Sequence, residues 1–182
     1  MTVRAVQWVA SMALACLLLA PASGWAGADE VGPWVGRPAP AFDLVDVEGH
    51  RLASQELVGR KVVWLNFWGL RCGPCVRELP VLQRIYTEYK DRGLLIVGVN
   101  TDGVDGAFIR RSIAKRADLQ AAGVTFPLAP DEEFAAIDAF GLTGAPLNVM
   151  IDRQGIVRYR HEGYEEGDEA QYLEVLRTLL AQ

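Results

Sequence analysis

The sequence predicts a three-layer α/β domain in which helices flank a central mixed β-sheet, with a β-hairpin as an N-terminal extension. Two observations carry this prediction: apolar strand-like runs alternate with segments of helical periodicity, and two strands joined by a glycine turn come near the end. Alternating strands and helices give parallel neighbours, whereas a closing hairpin adds an antiparallel edge. A chain of 182 residues, 51% hydrophobic and 23% charged, suits one globular domain.

The predicted strands are apolar runs bounded by turn residues. Residues 42–52 form a hairpin around Glu48-Gly49. Residues 62–67 are β-branched and aromatic without clean alternation, as expected for a strand buried on both faces. Residues 94–100 form another apolar strand, and 126–128 form a short one. The closing hairpin consists of 148–152 and 156–161, joined by Arg153-Gln154-Gly155.

The predicted helices have apolar residues at three- and four-residue steps between capping residues. The longest covers 74–92 and ends at Gly93, because glycine tolerates the left-handed conformation of a C-cap. Asp105 caps a second helix that extends to about Ala122. The other helices are a short one capped by Ser54 and ended by Gly59, one from Asp131 to Phe140, and an amphipathic one that begins at Asp168.

Residues 1–28 have the pattern of an export segment. Arg4 is the only charge before Asp29, an apolar stretch follows it, and Ala26-Gly27-Ala28 is the best cleavage site. The alternative is an uncleaved anchor, since the uncharged stretch is long enough to span a bilayer. We therefore expect residues 1–28 to be a signal peptide or an N-terminal anchor, and residues 29–182 to form a single periplasmic or otherwise extracytoplasmic domain.

The net charge and the number of cysteines limit the classes of function that the chain can have. The net charge of −5 argues against a nucleic-acid partner, because phosphate binding needs clustered Lys and Arg. Cys16 falls in the export segment, so the exported domain keeps only Cys72 and Cys75. A disulfide across so short a loop removes little entropy from the unfolded chain and therefore stabilises the fold little. In a disulfide-permissive compartment, this pair is better explained as redox-active.

The predicted surroundings of the two cysteines give them different roles. Cys72 directly follows a buried strand and lies at the start of a helix, where free backbone N–H groups and the helix dipole favour a thiolate. Pro74 suits the first helical turn, because its missing N–H would be unpaired there anyway. We therefore expect Cys72 to be the exposed nucleophile and Cys75, one turn inside the helix, to be the resolving thiol.

Several motifs carry a family resemblance. Residues 68–75, Trp-Gly-Leu-Arg-Cys-Gly-Pro-Cys, resemble the active-site segment of the thioredoxin superfamily. Its extracytoplasmic TlpA/ResA/DsbE (CcmG) branch in particular is similar at residues 36–42, 64–68, 144–146, 149–152 and 155–161. The likeness covers nearly the whole chain after the export segment. It implies a thioredoxin-like fold and a thiol–disulfide oxidoreductase that acts as a protein-disulfide reductase.

The resemblance also implies roles for individual residues. Ala145 and Pro146 match the family's cis-proline element, which lies opposite the cysteines and offers backbone hydrogen bonds to an incoming polypeptide. Glu78 completes Cys-x-x-Cys-x-x-Glu, a pattern of this branch in which the carboxylate assists proton movement at the cysteines. The alternative for Glu78 is an acid that merely complements the helix dipole. Trp68, like Trp64, is expected in the core or in the wall of the site, where it is a candidate for contact with the substrate.

The chain departs from the family pattern at three places. Asn66 stands in the strand before the motif, where thioredoxins usually carry an acid. Arg71 replaces the usual Trp before the first cysteine; a cation beside Cys72 favours the thiolate and attracts acidic substrate surfaces, unless Arg71 is only a solvated surface residue. Leu147 and Asn148 follow the proline, where the DsbE subgroup tends to have an acid, which argues against close equivalence to the cytochrome c maturation member.

The resemblance implies oxidised protein substrates, with apocytochrome c as one candidate, and a membrane thiol–disulfide electron donor. We expect a monomer without a cofactor. His50 lies in a predicted turn and His161 at a strand end, and with a single pair of cysteines they do not form a zinc-site pattern. One alternative is a Cu(I)-binding metallochaperone, although related copper-delivery proteins space their cysteines more widely. Another is a peroxiredoxin-like peroxidase, whose Pro-x-x-x-Thr-x-x-Cys motif would need Pro at Leu65 and Thr at Gly69.

Overall fold

The computed structural model describes residues 34–182, which fold around a five-stranded mixed sheet. The strands are β1 Asp43–Val45, β2 Arg51–Ala53, β3 Val62–Trp68, β4 Leu94–Asn100, β5 Leu128–Pro130, β6 Leu147–Ile151 and β7 Val157–Glu162. The helices are α1 Ser54–Leu57, α2 Gly73–Tyr89, α3 Gly106–Lys115, α4 Ala117–Ala122, α5 Ala135–Ala139 and α6 Asp168–Leu180. A 3₁₀ turn, Lys90–Arg92, follows α2.

The main sheet has the strand order β5-β4-β3-β6-β7, and β1 and β2 form a separate antiparallel hairpin. β3 and β5 both run parallel to β4, whereas β6 is antiparallel to β3 and to β7. The register between β3 and β6 places Asn66 opposite Asn148. The predicted mixed sheet and the N-terminal hairpin are both confirmed.

Side chains of β3 alternate between the two faces of the sheet, as a strand's two-residue period requires. One face packs against α2, α4 and α6, and the other packs against the hairpin and α5. This arrangement confirms the three predicted layers. The first face carries Trp64, Asn66 and Trp68, and the second carries Val63, Leu65 and Phe67.

The predicted helix from Asp105 to Ala122 is wrong in one respect, because the chain forms two helices there. Arg116 separates α3 from α4 in an extended conformation, with φ −111° and ψ 115°. Its guanidinium donates hydrogen bonds to the Leu70 carbonyl and to Asp118. This contact reaches the loop before the cysteines, so a long-range bond accompanies the break in the helix.

Other boundaries also differ from the predictions. Asp131 does not open a long helix; its carboxylate accepts hydrogen bonds from the backbone N–H groups of Ala136 (3.2 Å) and Ile137 (2.8 Å), so only the short α5 forms after it. Ser54 is the first residue of α1 rather than its cap, and its hydroxyl accepts a bond from the Phe42 N–H. β5 begins at Leu128 instead of residue 126.

The predicted export segment, residues 1–28, and Cys16 within it lie outside the described residues. Within residues 34–182, none of the helices combines the length and the hydropathy needed to cross a bilayer.

Candidate active site

Cys72 and Cys75 form a disulfide at the start of α2, immediately after β3 and a short loop. Cys72 is the N-cap of the helix, and its Sγ accepts a hydrogen bond of 3.2 Å from the Cys75 backbone N–H. Pro74 lies in the first turn, where no N–H is needed. Cys72 is half-buried, whereas Cys75 is only 1% exposed. An incoming molecule therefore reaches Cys72 first.

The end of β4 fixes the loop that leads into the cysteines. The Leu70 backbone N–H donates a hydrogen bond of 2.7 Å to Asp102 Oδ2, which also accepts one of 2.8 Å from Asn100 Nδ2. The Thr101 hydroxyl donates to the Trp68 carbonyl at 3.2 Å. These bonds hold the backbone before Cys72 against the carboxyl-terminal ends of β3 and β4.

Ala145 and Pro146 lie against the cysteines, as the family resemblance implies. The peptide bond between them is cis, and the Ala145 carbonyl oxygen lies 3.4 Å from Cys72 Sγ. Pro146 is buried and Ala145 is half-buried. The segment immediately before β6 therefore forms one side of the site.

Glu78 lies fully buried on α2, one turn beyond Cys75. Its Oε1 accepts hydrogen bonds from Asn148 Nδ2 at 2.7 Å and from the Tyr172 hydroxyl at 2.8 Å. Its Oε2 accepts a hydrogen bond of 2.9 Å from Asn66 Nδ2. Residues of β3, β6 and α6 thus surround a carboxylate that α2 provides.

Burial raises the pKa of Glu78 to about 7, even though the hydrogen bonds from Tyr172, Asn148 and Asn66 lower it. A carboxyl group with such a pKa exchanges a proton readily near neutral pH. Burial and the neighbouring Glu78 carboxylate raise the pKa of Tyr172, so its hydroxyl keeps its proton and remains a donor. Glu78 thus combines a raised pKa with a position three residues after Cys75 on the same helix.

Comparison with known proteins agrees with this geometry. Residues 35–160 match the AhpC/TSA family. The chain belongs to the AhpC/TSA family. It is 34% identical over 143 residues to the thiol-disulfide oxidoreductase ResA of Halalkalibacterium halodurans, which covers 78% of this chain and 77% of that one. It is 36% identical to ResA of Geobacillus kaustophilus over 124 residues, 68% and 67% of the two chains.

Solved structures of disulfide-exchange proteins share this fold. A crystal structure from Chlorobium tepidum, assigned as the thiol:disulfide interchange protein DsbE, has a TM-score of 0.70 and 27% identity, and covers 80% of this chain and 97% of that chain. A solution structure from Bacteroides thetaiotaomicron, assigned as a protein disulfide isomerase, also has a TM-score of 0.70 and 27% identity, and covers 81% and 91%. The predicted thioredoxin-like fold is confirmed, and this AhpC/TSA-family member is a thiol–disulfide oxidoreductase.

Two other residues predicted to bind substrate lie in different surroundings. Arg71 is exposed beside Cys72 and, within residues 34–182, forms no ion pair with a carboxylate. Trp68 is fully buried, which agrees with the core position that the sequence allowed and corrects its expected contact with the substrate. It packs in the core beneath the cysteine loop and offers a substrate no surface, because the strand turns its side chain toward α2.

Sequence reasoning missed the parts that Asn148 and Tyr172 play in this AhpC/TSA-family site. Asn148 is predicted only as a strand residue that departs from the DsbE pattern, and Tyr172 falls in the amphipathic helix predicted to begin at Asp168 without a role of its own. One signal was available: amide side chains at Asn66 and Asn148 interrupt strands that are otherwise apolar. Buried amides need hydrogen-bond partners, so such residues point to a polar cluster inside the core.

Each of the two histidines lies close to an aspartate. His50 Nδ1 lies 3.1 Å from Asp46 Oδ2 in the first hairpin, and His161 Nε2 lies 3.5 Å from Asp168 Oδ2. In the part of the chain that the structure describes, no group of three or more His, Cys, Asp or Glu side chains is arranged to hold a metal ion.

Proposed function

We propose that the protein is an exported reductase of protein disulfides and that Cys72 and Cys75 carry its reaction. One observation carries the proposal: the accessible Cys72 Sγ lies 3.4 Å from the Ala145 carbonyl, while its partner Cys75 is 1% exposed. A substrate sulfur can therefore approach Cys72 next to a backbone segment that can dock a polypeptide. Cys75 is within reach of Cys72 alone.

The reaction proceeds by two thiol–disulfide exchanges. The Cys72 thiolate attacks one sulfur of the substrate disulfide, a mixed disulfide forms, and the other substrate sulfur leaves as a thiolate. The Cys75 thiolate then attacks Cys72 Sγ, the first substrate sulfur leaves, and the Cys72–Cys75 disulfide closes. Two electrons pass from the protein to its substrate, and a membrane thiol donor returns them.

Glu78 accepts the proton that Cys75 must lose before it attacks. The two residues are three positions apart on α2 and therefore share a face of the helix. With a pKa near 7, the Glu78 carboxylate is a suitable base, and transfer occurs directly or through one water molecule. The protonated carboxyl then returns the proton to a substrate thiolate or to solvent.

Ala145 and Pro146 dock the backbone of the substrate, and Arg71 selects among substrates by charge. Arg77 strengthens this cationic edge, since it is exposed and its Nη1 would lie 3.6 Å from a Cβ placed on Gly73. In a chain of net charge −5, two such cations beside the nucleophile favour acidic polypeptides.

The resemblance to the TlpA/ResA/DsbE branch makes apocytochrome c a candidate client and cytochrome c maturation a candidate process. It also supports a periplasmic location, with residues 1–28 as a cleaved signal or an anchor and residues 29–182 as one domain. Fractionation of cells that express the full chain, with sequencing of the mature N-terminus, tests this location. Recovery of the protein in the cytoplasm with Met1 intact would contradict it.

A purified-protein assay tests the proposed activity. The reduced protein should accelerate reduction of insulin disulfides by a limiting dithiol, and Cys72→Ser should abolish the acceleration. Absence of acceleration by the wild type would overturn the proposal. Steady peroxide consumption under the same conditions would indicate a peroxidase instead, and Cu(I) binding that outcompetes a strong chelator would indicate a metallochaperone.

A further inference from the structure

A buried polar cluster lies between the sheet and the helices α2 and α6, next to the cysteine pair. Each of its members is at most 1% exposed: Trp64, Asn66, Glu78, Asn148 and Tyr172. Because no member meets bulk solvent, each polar atom depends on the others for its hydrogen bonds. The donor and acceptor capacity of each group therefore decides which way every bond points.

Trp64 fixes the orientation of the Asn148 amide. An indole N–H can only donate, and Trp64 Nε1 lies 2.8 Å from Asn148 Oδ1. The amide oxygen must therefore face Trp64. This orientation directs the other end of the amide, Nδ2, to Glu78 Oε1 at 2.7 Å.

The orientation of the Asn66 side-chain amide is also fixed by its neighbours. Asn66 lies opposite Asn148 in the register of β3 and β6. Its Nδ2 is 3.0 Å from Asn148 Oδ1 and 2.9 Å from Glu78 Oε2. Both neighbours are oxygen acceptors, so the donating end of the amide faces them. Asn66 Oδ1 is left without a partner among residues 34–182, a cost that the two donated bonds offset.

The Tyr172 hydroxyl completes the cluster. Asn148 Nδ2 lies 3.3 Å from this oxygen and can only donate, so the hydroxyl accepts there. Its single proton is then directed to Glu78 Oε1 at 2.8 Å. Three donors therefore converge on one carboxylate, and donors of this kind favour its charged form.

The groups around Glu78 act on its charge in opposite directions. Burial raises its pKa, and the negative charge of Asp168 at the start of α6 raises it further. Cys75 on α2 carries no charge in the disulfide. Tyr164, before α6, stays neutral because burial and the charge of Glu78 raise its pKa. On β7, His161 lies opposite Asn148, with its ring centroid 6.5 Å from that of Tyr172 and its Nε2 3.5 Å from Asp168 Oδ2. Among the groups that contact the carboxylate directly, the hydrogen-bond donors stabilise its charged form.

We propose that Asn148 and Tyr172 are positioning residues that keep Glu78 able to ionise in its buried site, and so set the pH range in which Cys75 can transfer its proton. The inference rests on the proposed role of Glu78 as the proton acceptor. Without the two donors, the carboxyl would retain its own proton at neutral pH. It would then be unable to accept one from the Cys75 thiol.

Carbon-13 NMR of the side-chain carboxyl groups of glutamate tests the proposal in the oxidised full-length protein, where the cysteines do not titrate. Glu78→Gln identifies the signal. Tyr172→Phe removes one donor and should raise the titration midpoint by about one pH unit. Asn148→Asp keeps the acceptor for Trp64 but places a second carboxyl against Glu78, so the pair should hold one proton to a still higher pH.

Tyr89→Phe is the matched control, because Tyr89 is likewise buried but lies at the far end of α2. Its hydroxyl accepts a hydrogen bond of 3.1 Å from Arg177 Nε on α6. Tyr89→Phe should leave the midpoint of Glu78 unchanged. An unchanged or lowered midpoint in Tyr172→Phe would overturn the proposal, as would an equal shift in the control. If Asn148→Asp does not fold, Tyr172→Phe decides alone.

A second measurement connects the cluster to the reaction. In Tyr172→Phe, the pH profile for release of substrate from the mixed disulfide should move upward by the same amount as the NMR midpoint. The NMR titration needs no substrate. If the protein reduced no disulfide, the proposed function would be overturned, but the titration would still test whether Tyr172 and Asn148 position Glu78. A shifted midpoint with an unshifted profile would overturn the catalytic consequence.

Discussion

The Tyr172 hydroxyl lies 2.8 Å from Glu78 Oε1, although 94 positions separate the two residues in the chain. The Tyr172 ring also packs edge-on against Trp64, with 5.1 Å between ring centroids. The C-terminal helix α6 therefore covers the buried side of the cysteine site. The site begins with residues 72–75 at the start of α2. The last helix, α6, contributes the Tyr172 hydroxyl to it.

The raised pKa of Glu78 makes the stability of the protein depend on pH. Its folded-state pKa of about 7 exceeds the ordinary value of 4.5, so folding favours the protonated carboxyl. This contribution is fully present below pH 4.5 and is lost as the pH rises through about 7. A displacement of this size corresponds to roughly 3 kcal/mol. Wild type should therefore lose more stability than Glu78→Gln as the pH rises.

Urea unfolding of the oxidised protein at pH 5 and at about pH 8.5 measures this difference. Glu88→Gln is the control, because Glu88 is exposed on the same helix and its removal should leave the pH dependence as in wild type. If the free energy of unfolding changed equally with pH in wild type and in Glu78→Gln, the account would be contradicted.

Arg71 should influence the rate at which acidic substrates react. Arg71→Glu should lower the second-order rate constant for a disulfide flanked by Asp and Glu by about 3- to 10-fold at low salt, and the effect should shrink near 0.5 M salt. Arg60→Glu makes the same change in net charge at the other end of β3, and should have little effect. Equal losses in the two variants would show that only net charge matters.

Gly98 allows the core beneath the cysteine loop to pack closely. A Cβ at this position would lie 2.6 Å from Leu128 Cδ2 and 3.2 Å from Trp68 Nε1, so Gly98→Ala should destabilise the protein by about 1–3 kcal/mol. Gly144→Ala adds the same methyl group where nothing lies within 4 Å, and its stability should stay close to that of wild type. Thermal unfolding compares the two, and similar melting temperatures would refute the packing argument.

The strands and the cysteine site follow largely from local sequence patterns. β3 and β4 are mostly apolar runs, and a glycine turn marks the closing hairpin. The placement of Cys72 at a helix start needs only the preceding strand and Pro74. The resemblance to a known family adds the pairing of the cysteines with Ala145 and Pro146. These features depend on short stretches of chain that the sequence displays directly.

The missed features depend on contacts between distant segments. Arg116 interrupts a predicted helix and binds the Leu70 carbonyl 46 residues away. The role of Asn148 requires the register that places it opposite Asn66, and the role of Tyr172 requires the position of α6 over Trp64. Periodicity identifies which face of a strand or helix is buried, but it does not identify which buried groups meet.

The order of attack is the central claim, and trapping the mixed disulfide tests it most directly. Reduced Cys75→Ser and Cys72→Ser proteins are each mixed with one equivalent of a disulfide-linked peptide, and intact mass is recorded over time. Because Cys75 is 1% exposed, only Cys75→Ser should accumulate a stoichiometric adduct, joined through Cys72. An adduct on Cys72→Ser instead, or on neither variant, would contradict the account.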